Sequence, residues 1–500
     1  MPSYVVLAAA LLVVVVVAAI KNLGKGKLPP SPPSLPFVGH LHLVGELPHR
    51  SLDALHRRYG SDGGLLFLRL GRAGALVVST AAAAADLYKN HDLVFASRPP
   101  SYSAEKLFYG GRNMSFAPLG DAWRRTKKLA MAHLLSPRRA ASFAAPARAA
   151  EAAALVARAR RAAEARRAVQ LRELMYVYTN GVITRVAASG SGATAERFRK
   201  MMADTSELLA GFQWVDRLPV AAGWAARKLT GLNKKLDDMA DESDRFLGEI
   251  LAAHDDEKAE GEEEDFVDVL LRLRRQGAAA AAGSLELAED NIKAIIKDIM
   301  GAATDTSFVT LEWIMTELMR NTRVMSKLQN EIIQVTGSKP TVIEEDLSKM
   351  DYLKAVIKEV LRLHPPAPLL VPHHSTAPAA VQGYHIPAKT IAFINVWAIG
   401  RDPVAWDTPE EFRPERFIGS TVDFRGNDYK FIPFGAGRRL CPGIILALPG
   451  LEMAVASLLY HFDWELPDGV DVEELDMAEA PGLTTPPMNP VWLIPRCRTI

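Results

Sequence analysis

The sequence predicts a mainly α-helical protein with small β-sheets, set behind a single N-terminal transmembrane helix. Three observations carry this expectation. Residues 4–20 (YVVLAAALLVVVVVAAI) carry no charge. Helix-forming, alanine-rich or apolar-periodic stretches recur at about 80–90, 138–168, 193–210, 286–335, 345–364 and 443–461. Strand-like alternation is weak, in a short patch at 65–70 and 75–79 around Gly71.

The run 4–20 is near the short end of the roughly 17–25 apolar residues that cross a bilayer. A cleaved signal peptide would want charge before a shorter apolar stretch, whereas here Lys21, Lys25 and Lys27 follow it. That order predicts a retained anchor with the lysines and the body on the cytosolic side. Prolines 29, 30, 32, 33 and 36 then rule out helix through residue 40. Residues 21–40 therefore read as a basic, proline-rich hinge whose stiffness fixes how the body sits on the membrane. The remainder, 41–500, reads as one catalytic domain. Within it the acidic run 255–265 and the alanine run 277–283 flank an amphipathic helix, 265–273, and carry no chemistry. Chain from 365 to 433 is irregular and punctuated by prolines.

Composition narrows the function. A 500-residue chain with 49% apolar and 23% charged residues can bury a sizeable core. A net charge of +1 argues against a nucleic-acid partner. Two cysteines, Cys441 and Cys497, exclude a disulfide scaffold and any zinc or iron–sulfur site needing several thiolates. A metal held by one cysteine stays open. In FGAGRRLCPG (434–443), glycines 435, 437 and 443 let the backbone approach a bulky ligand and turn N–H groups toward the sulfur. Those bonds, and the positive end of the helix that follows, stabilise a thiolate. A buried inert cysteine needs neither the glycines nor the adjacent Arg438 and Arg439.

The spacing F-x-x-G-x-R-x-C-x-G, at Phe434, Gly437, Arg439, Cys441 and Gly443, resembles the haem-binding loop of the cytochrome P450 superfamily. Over nearly the whole chain the order of parts is similar to plant microsomal A-type members. The resemblance implies haem b, with Cys441 as proximal iron ligand, Phe434 beside the porphyrin and Arg439 on a propionate. It also implies O2 as co-substrate and NADPH electrons delivered by a separate membrane-bound NADPH–cytochrome P450 reductase in the endoplasmic reticulum. Glu359 and Arg362 in KEVLR, with Arg416 in PERF, match the family's Glu–Arg–Arg network, a structural tie. GAATDTS (301–307) resembles the oxygen-activating groove, with Thr306 and Asp305 relaying protons and Ala303 where a glycine is usual. Trp123 and Lys127 in WRRTKK match propionate-holding positions, Lys127 replacing an arginine, and His373 likewise stands where an arginine is common. The basic cluster Arg124, Arg125, Lys127 and Lys128 would steer an acidic reductase.

By position in the family, Phe108, Met114, Phe212, Met300, Leu369, Leu370 and Met488 are expected to line the substrate pocket. The set is apolar without a fixed charge, which favours a small neutral substrate. Grass members that oxidise indole-derived defence precursors are the nearest resemblance, with terpenoid and phenolic substrates open. Two other functions compete: a P450-fold isomerase or dehydratase, and a membrane-tethered haem sensor or carrier. The Asp305–Thr306 pair argues against both.

Overall fold

The computed structural model describes residues 27–498 apart from 191, 210–217, 219, 255–263, 280–286 and 468. The expected anchor, the lysines at 21 and 25, Phe212 and most of the acidic and alanine runs lie outside the described residues.

Helices dominate the body. In chain order the main ones are α1 (Pro48–Tyr59), α2 (Ala81–Asn90), α3 (Tyr102–Leu107), α4 (Asp121–His133), α5 (Pro137–Glu164) and α6 (Leu171–Ala188). There follow α7 (Gly192–Leu209), α8 (Val220–Leu229), α9 (Leu232–Ala252), α10 (Phe266–Ala279) and α11 (Glu289–Arg320). The last three are α12 (Thr322–Thr336), α13 (Asp351–Leu363) and α14 (Ile444–His461). The long helical stretch expected at 286–335 is two helices. Asn321 breaks it by turning its side-chain amide onto the Glu317 carbonyl at 2.9 Å, which ends α11. Helix α10 runs six residues beyond the expected 273. Helix α6 carried no amphipathic signal because it is buried on nearly every side, packed by α5 and α11. Helix α14 is apolar enough to cross a membrane, but 61% of it is buried against α5, α11 and α12. It is a core helix.

The strand-like patch forms a hairpin, β1 (Leu65–Leu70) and β2 (Ala73–Val78), at the edge of a four-stranded sheet. The stretch read as irregular supplies β4 (His373–His374) and β7 (Ile391–Ile394), in the order β1-β2-β7-β4, and the separate hairpin β5 (Ala379–Val381) and β6 (Tyr384–Ile386). A third sheet joins β3 (Val169–Gln170) and β8 (Phe462–Glu465) to β9 (Trp492–Cys497). The strands are two to six residues long and, outside the two hairpins, pair across long sequence separations, so their pattern is weak in the sequence.

The proline-rich segment is laid against the free edge of β1. The Phe67 N–H donates to Pro30 O (2.9 Å), the Gly71 N–H to Val38 O (3.0 Å) and the His40 N–H to Arg69 O (2.7 Å). His40 Nδ1 accepts from the Arg69 N–H at 2.7 Å, so Nε2 carries the proton and donates to Pro32 O at 2.9 Å. Gly39, at φ +64°, is required here, since a Cβ would stand 2.0 Å from Arg69 O.

Helix α13 buries two charged groups. Glu359 and Arg362 are 0% and 1% exposed. The Arg362 guanidinium donates to both Glu359 oxygens at 2.8 Å and to the carbonyls of Gly400 and Pro409 at 2.6 Å. Arg416 Nε donates to Glu359 Oε1 at 2.9 Å. One carboxylate thus compensates two guanidinium groups and ties α13 to the chain before the cysteine loop. Replacing Glu359 by Gln leaves those charges without a counter-ion, and we expect a loss of about 3–5 kcal/mol. Urea denaturation measures it, and an unchanged midpoint would show the carboxylate to be dispensable.

Candidate active site

Cys441 lies in the turn before α14, half-buried, with its N–H donating to Phe434 O at 3.0 Å. Burial pushes its thiol above the ordinary range, opposed by the Gly443 N–H on the sulfur. Gly437, at φ +63°, brings the loop against α2 and its neighbours: a Cβ would meet Asp92 Oδ1 at 2.2 Å. Asp92 in turn accepts the Arg438 N–H at 3.1 Å and pairs with the Arg438 side chain. Phe434 sits edge-on to Phe424, their centroids 5.5 Å apart.

Arg439 points back into the body, its guanidinium 4.0 Å above the Trp123 ring. It donates to the carbonyls of Ala96 (2.7 Å), Met114 (3.0 Å) and Ala117 (2.6 Å). The Trp123 indole donates to the same Met114 carbonyl at 3.2 Å, and Lys127 donates to Arg438 O at 2.6 Å. The structure therefore brings Trp123, Lys127 and Arg439 together. It adds Arg98, which the sequence reading missed. Arg98 is 8% exposed and donates to Ser115 O (2.8 Å), Val371 O (2.5 Å) and Pro372 O (3.0 Å). Burial lowers Arg98 to about 10 and Arg439 to about 9.

His373 stands beside Arg98 but offers no spare donor. Its Nδ1 faces Phe95 O at 2.9 Å, so Nδ1 holds the proton and Nε2 accepts from the Tyr88 hydroxyl at 3.3 Å. Burial first, then the Arg98 charge, depress it to about 3, so the imidazole is neutral. The cation of this corner is Arg98.

Helix α11 is buried from Ile292 to Gly301 and again from Phe308 to Met319, yet Ala302 is exposed and Ala303, Asp305 and Thr306 are partly so. A helix enclosed at both ends and open in the middle borders internal space. The N-terminal half of α14, after Cys441, shows the same loosened burial. Thr306 donates its hydroxyl to Ala302 O at 2.8 Å, which leaves its oxygen lone pairs for an incoming donor. About two turns upstream, the buried Asp298 accepts from the N–H groups of Met114 (2.9 Å) and Ser115 (3.0 Å) and from the Asn113 amide (3.1 Å). This fixes the 107–115 loop over α11.

The expected pocket residues divide. Phe108, Met114 and Met300 are buried, Phe108 in a cluster with Leu208 and Met239. Leu370, at φ +54°, lies against Gly435, whereas Leu369 packs on the β1–β2 cluster. Met488 is 43% exposed.

A cytochrome P450 family model matches residues 29–494. The chain belongs to the cytochrome P450 family. It is 43% identical over 464 residues to "Cytochrome P450 71AP13" of Prunus mume, covering 92% of this chain and 88% of the relative. It is 41% identical to the 4-hydroxyphenylacetaldehyde oxime monooxygenase of Sorghum bicolor, covering 94% and 89%. A zebra fish P450 solved with progesterone shares the fold at a TM-score of 0.77 and 23% identity, over 90% of this chain and 99% of that one. This P450 is accordingly a haem-thiolate monooxygenase that uses O2 and electrons from a reductase partner. Its residues fit the haem: the buried Arg98 and the half-buried Arg439, with no carboxylate in ion-pair distance among the described residues, suit the porphyrin's two carboxylates. The glycine-flanked thiol of Cys441 would offer the iron a ligand, and the opened turn of α11 borders internal space.

Proposed function

We propose that residues 4–20 anchor this P450 in the endoplasmic reticulum membrane, that 21–40 form the hinge, and that 41–500 are a cytosolic catalytic domain. There it oxidises a small apolar specialised metabolite with electrons from a membrane-bound NADPH–cytochrome P450 reductase. Support for the substrate class comes from relatives such as the (+)-menthofuran synthase of Mentha piperita, 40% identical over 93% of this chain. The exposed Arg124, Arg125 and Lys128 of α4 would steer an acidic reductase to this face.

The observation that carries the residue assignments is the convergence of Arg98, Arg439, Trp123 and Lys127 beside the Cys441 loop. In this reading Cys441 is the iron ligand. Arg98 and Arg439, with Trp123 and Lys127, hold the propionates, Phe434 packs beside the porphyrin, and Gly437 and Gly443 shape the loop that carries the thiol. The haem, when bound, supplies oxygen activation and the electron path. Ala303 keeps the groove narrow where a larger side chain would fill it. The Thr306 oxygen accepts a proton from Asp305 or solvent and its hydroxyl passes one to the reacting oxygen, so the transfer is a positioned proton relay. Apolar walls at Phe108, Met114 and Met300 keep bulk water out.

Topology is tested by adding protease to sealed microsomes. We expect digestion of the chain beyond Leu28 without detergent, as cytosolic exposure requires. Protection of the whole body would put the domain in the lumen and end the reductase assignment.

A further inference from the structure

We propose that Tyr88 and Tyr429 form a one-electron exit from the haem site to the protein surface, with His373 receiving the Tyr88 proton. This rests on the haem-thiolate reading, because the oxidant is the haem centre after it has reacted with a peroxide and met no substrate.

Tyr88 lies near the end of α2 and is 5% exposed. Its ring lies against the cysteine loop: a Cβ added at Gly437 would stand 3.2 Å from it. Its hydroxyl is 3.3 Å from His373 Nε2, and the Ala436 N–H reaches the same oxygen. The ring also stacks with Tyr429, the planes 13° apart and the centroids separated by 6.2 Å. Tyr429 is half-buried and lines a surface cleft of about 1050 Å³. Two phenols thus lead from the cysteine loop to solvent.

Packing alone asks for less. Phenylalanine at 88 would fill the same apolar cluster without burying a hydroxyl. Burial pushes the Tyr88 phenol up, so it keeps its proton until an electron leaves, and losing the electron makes it strongly acidic. The proton then needs a base. His373 is a neutral imidazole whose Nε2 lone pair already faces the hydroxyl, whereas an arginine there would have no lone pair to offer. Trp123, also at this corner, donates its N–H to a carbonyl, which is not a base. The step balances. The haem centre gains one electron from Tyr88, whose O–H bond breaks as an N–H bond forms at His373 Nε2. Tyr429 then gives one electron to Tyr88, which takes its proton back from His373, and the Tyr429 phenolic proton leaves to water. Return of the proton is favoured because burial and the Arg98 charge hold His373 down at about 3. The tyrosyl radical left at the cleft is reduced by one hydrogen atom from ascorbate or a small thiol.

The test mixes full-length, haem-loaded enzyme, free of substrate, with hydrogen peroxide and the spin trap tert-nitrosobutane. Adducts are located by peptide mass spectrometry, and the radical is followed by electron paramagnetic resonance after rapid freezing. Wild type should carry its main adduct on Tyr429, and added ascorbate should suppress it. Tyr88→Phe should lower that adduct at least about tenfold, since the electron must then cross the whole gap in one step. His373→Gln, which keeps an oxygen acceptor but no base, should lower it similarly. Tyr88→Phe decides alone if the His373 variant does not hold haem. A main adduct on another residue, or a Tyr429 adduct whose yield survives either substitution in haem-loaded protein, would overturn the proposal. The carbon monoxide spectrum of the same wild-type sample separates the two readings: a missing thiolate band counts against the Cys441 assignment, and an absent adduct with the band intact counts against the Tyr88–Tyr429 route.

Discussion

Replacing Cys441 with histidine will abolish the thiolate spectrum of the reduced, carbon monoxide-bound protein and with it all product formation. The expectation rests on the position of the sulfur, half-buried before α14 in a turn held open by Gly437 and Gly443. A free thiol there is pushed up by burial, so it has little tendency to ionise unless a metal takes the proton's place. Imidazole can ligate iron, but it brings no anionic charge to push electron density toward the O–O bond. Haem content should fall only in part, because Arg98, Arg439 and Trp123 remain. The wild-type band persisting in the variant would show that another residue is the ligand, with Cys497, which is exposed at the end of β9, the other thiol to examine.

The second large effect belongs to Thr306. In Thr306→Ala the bond to Ala302 O is lost but the helix gains a better former, so folding and ligand binding should be intact. Without the hydroxyl the proton relay is broken, and product per NADPH should drop by roughly 10²-fold or more while hydrogen peroxide appears. The measurement is that ratio in wild type and variant, with reductase and oxygen supplied. An unchanged ratio would remove Thr306 from the reaction. A wild type that turns over with no need of reductase would point instead to an isomerase.

The parts legible in the sequence share one property: their chemistry is local. The cysteine, its glycines and Arg439 lie within ten residues, and Thr306 follows Asp305 directly. Glu359 and Arg362 are one turn apart, so the pair could be read and only Arg416 had to be brought from elsewhere. Arg98 was missed for the opposite reason. Its acceptors are backbone carbonyls of residues 115, 371 and 372, and a carbonyl has no sequence signature. The stretch SRPP, an arginine before two prolines, was its one local trace. Asp298 carried no signal for the same reason, since its partners are two backbone N–H groups and an asparagine from a loop far off in the chain. His373 could be placed beside the site, but not its neutrality, which comes from burial and the unread Arg98. Strands β4 to β7 escaped because a two- to four-residue strand is too short to show a period.

Under the proposed anchoring, the proline-rich segment decides how force and motion would pass between membrane and enzyme. It was expected to act as a stiff spacer, yet between Pro30 and His40 it is hydrogen-bonded along β1 and behaves as part of the sheet. No swivel can lie within that stretch, so if residues 4–20 anchor the protein as proposed, any tilt of the lipid surface loads the β1–β2 hairpin directly, as a handle welded to the vessel loads its wall. The same contacts shield the row of main-chain groups that an outer strand would otherwise offer to a second molecule. A chain shortened to begin at residue 41 would lose both the handle and the shield, and would be prone to stick edge to edge even with its active site intact.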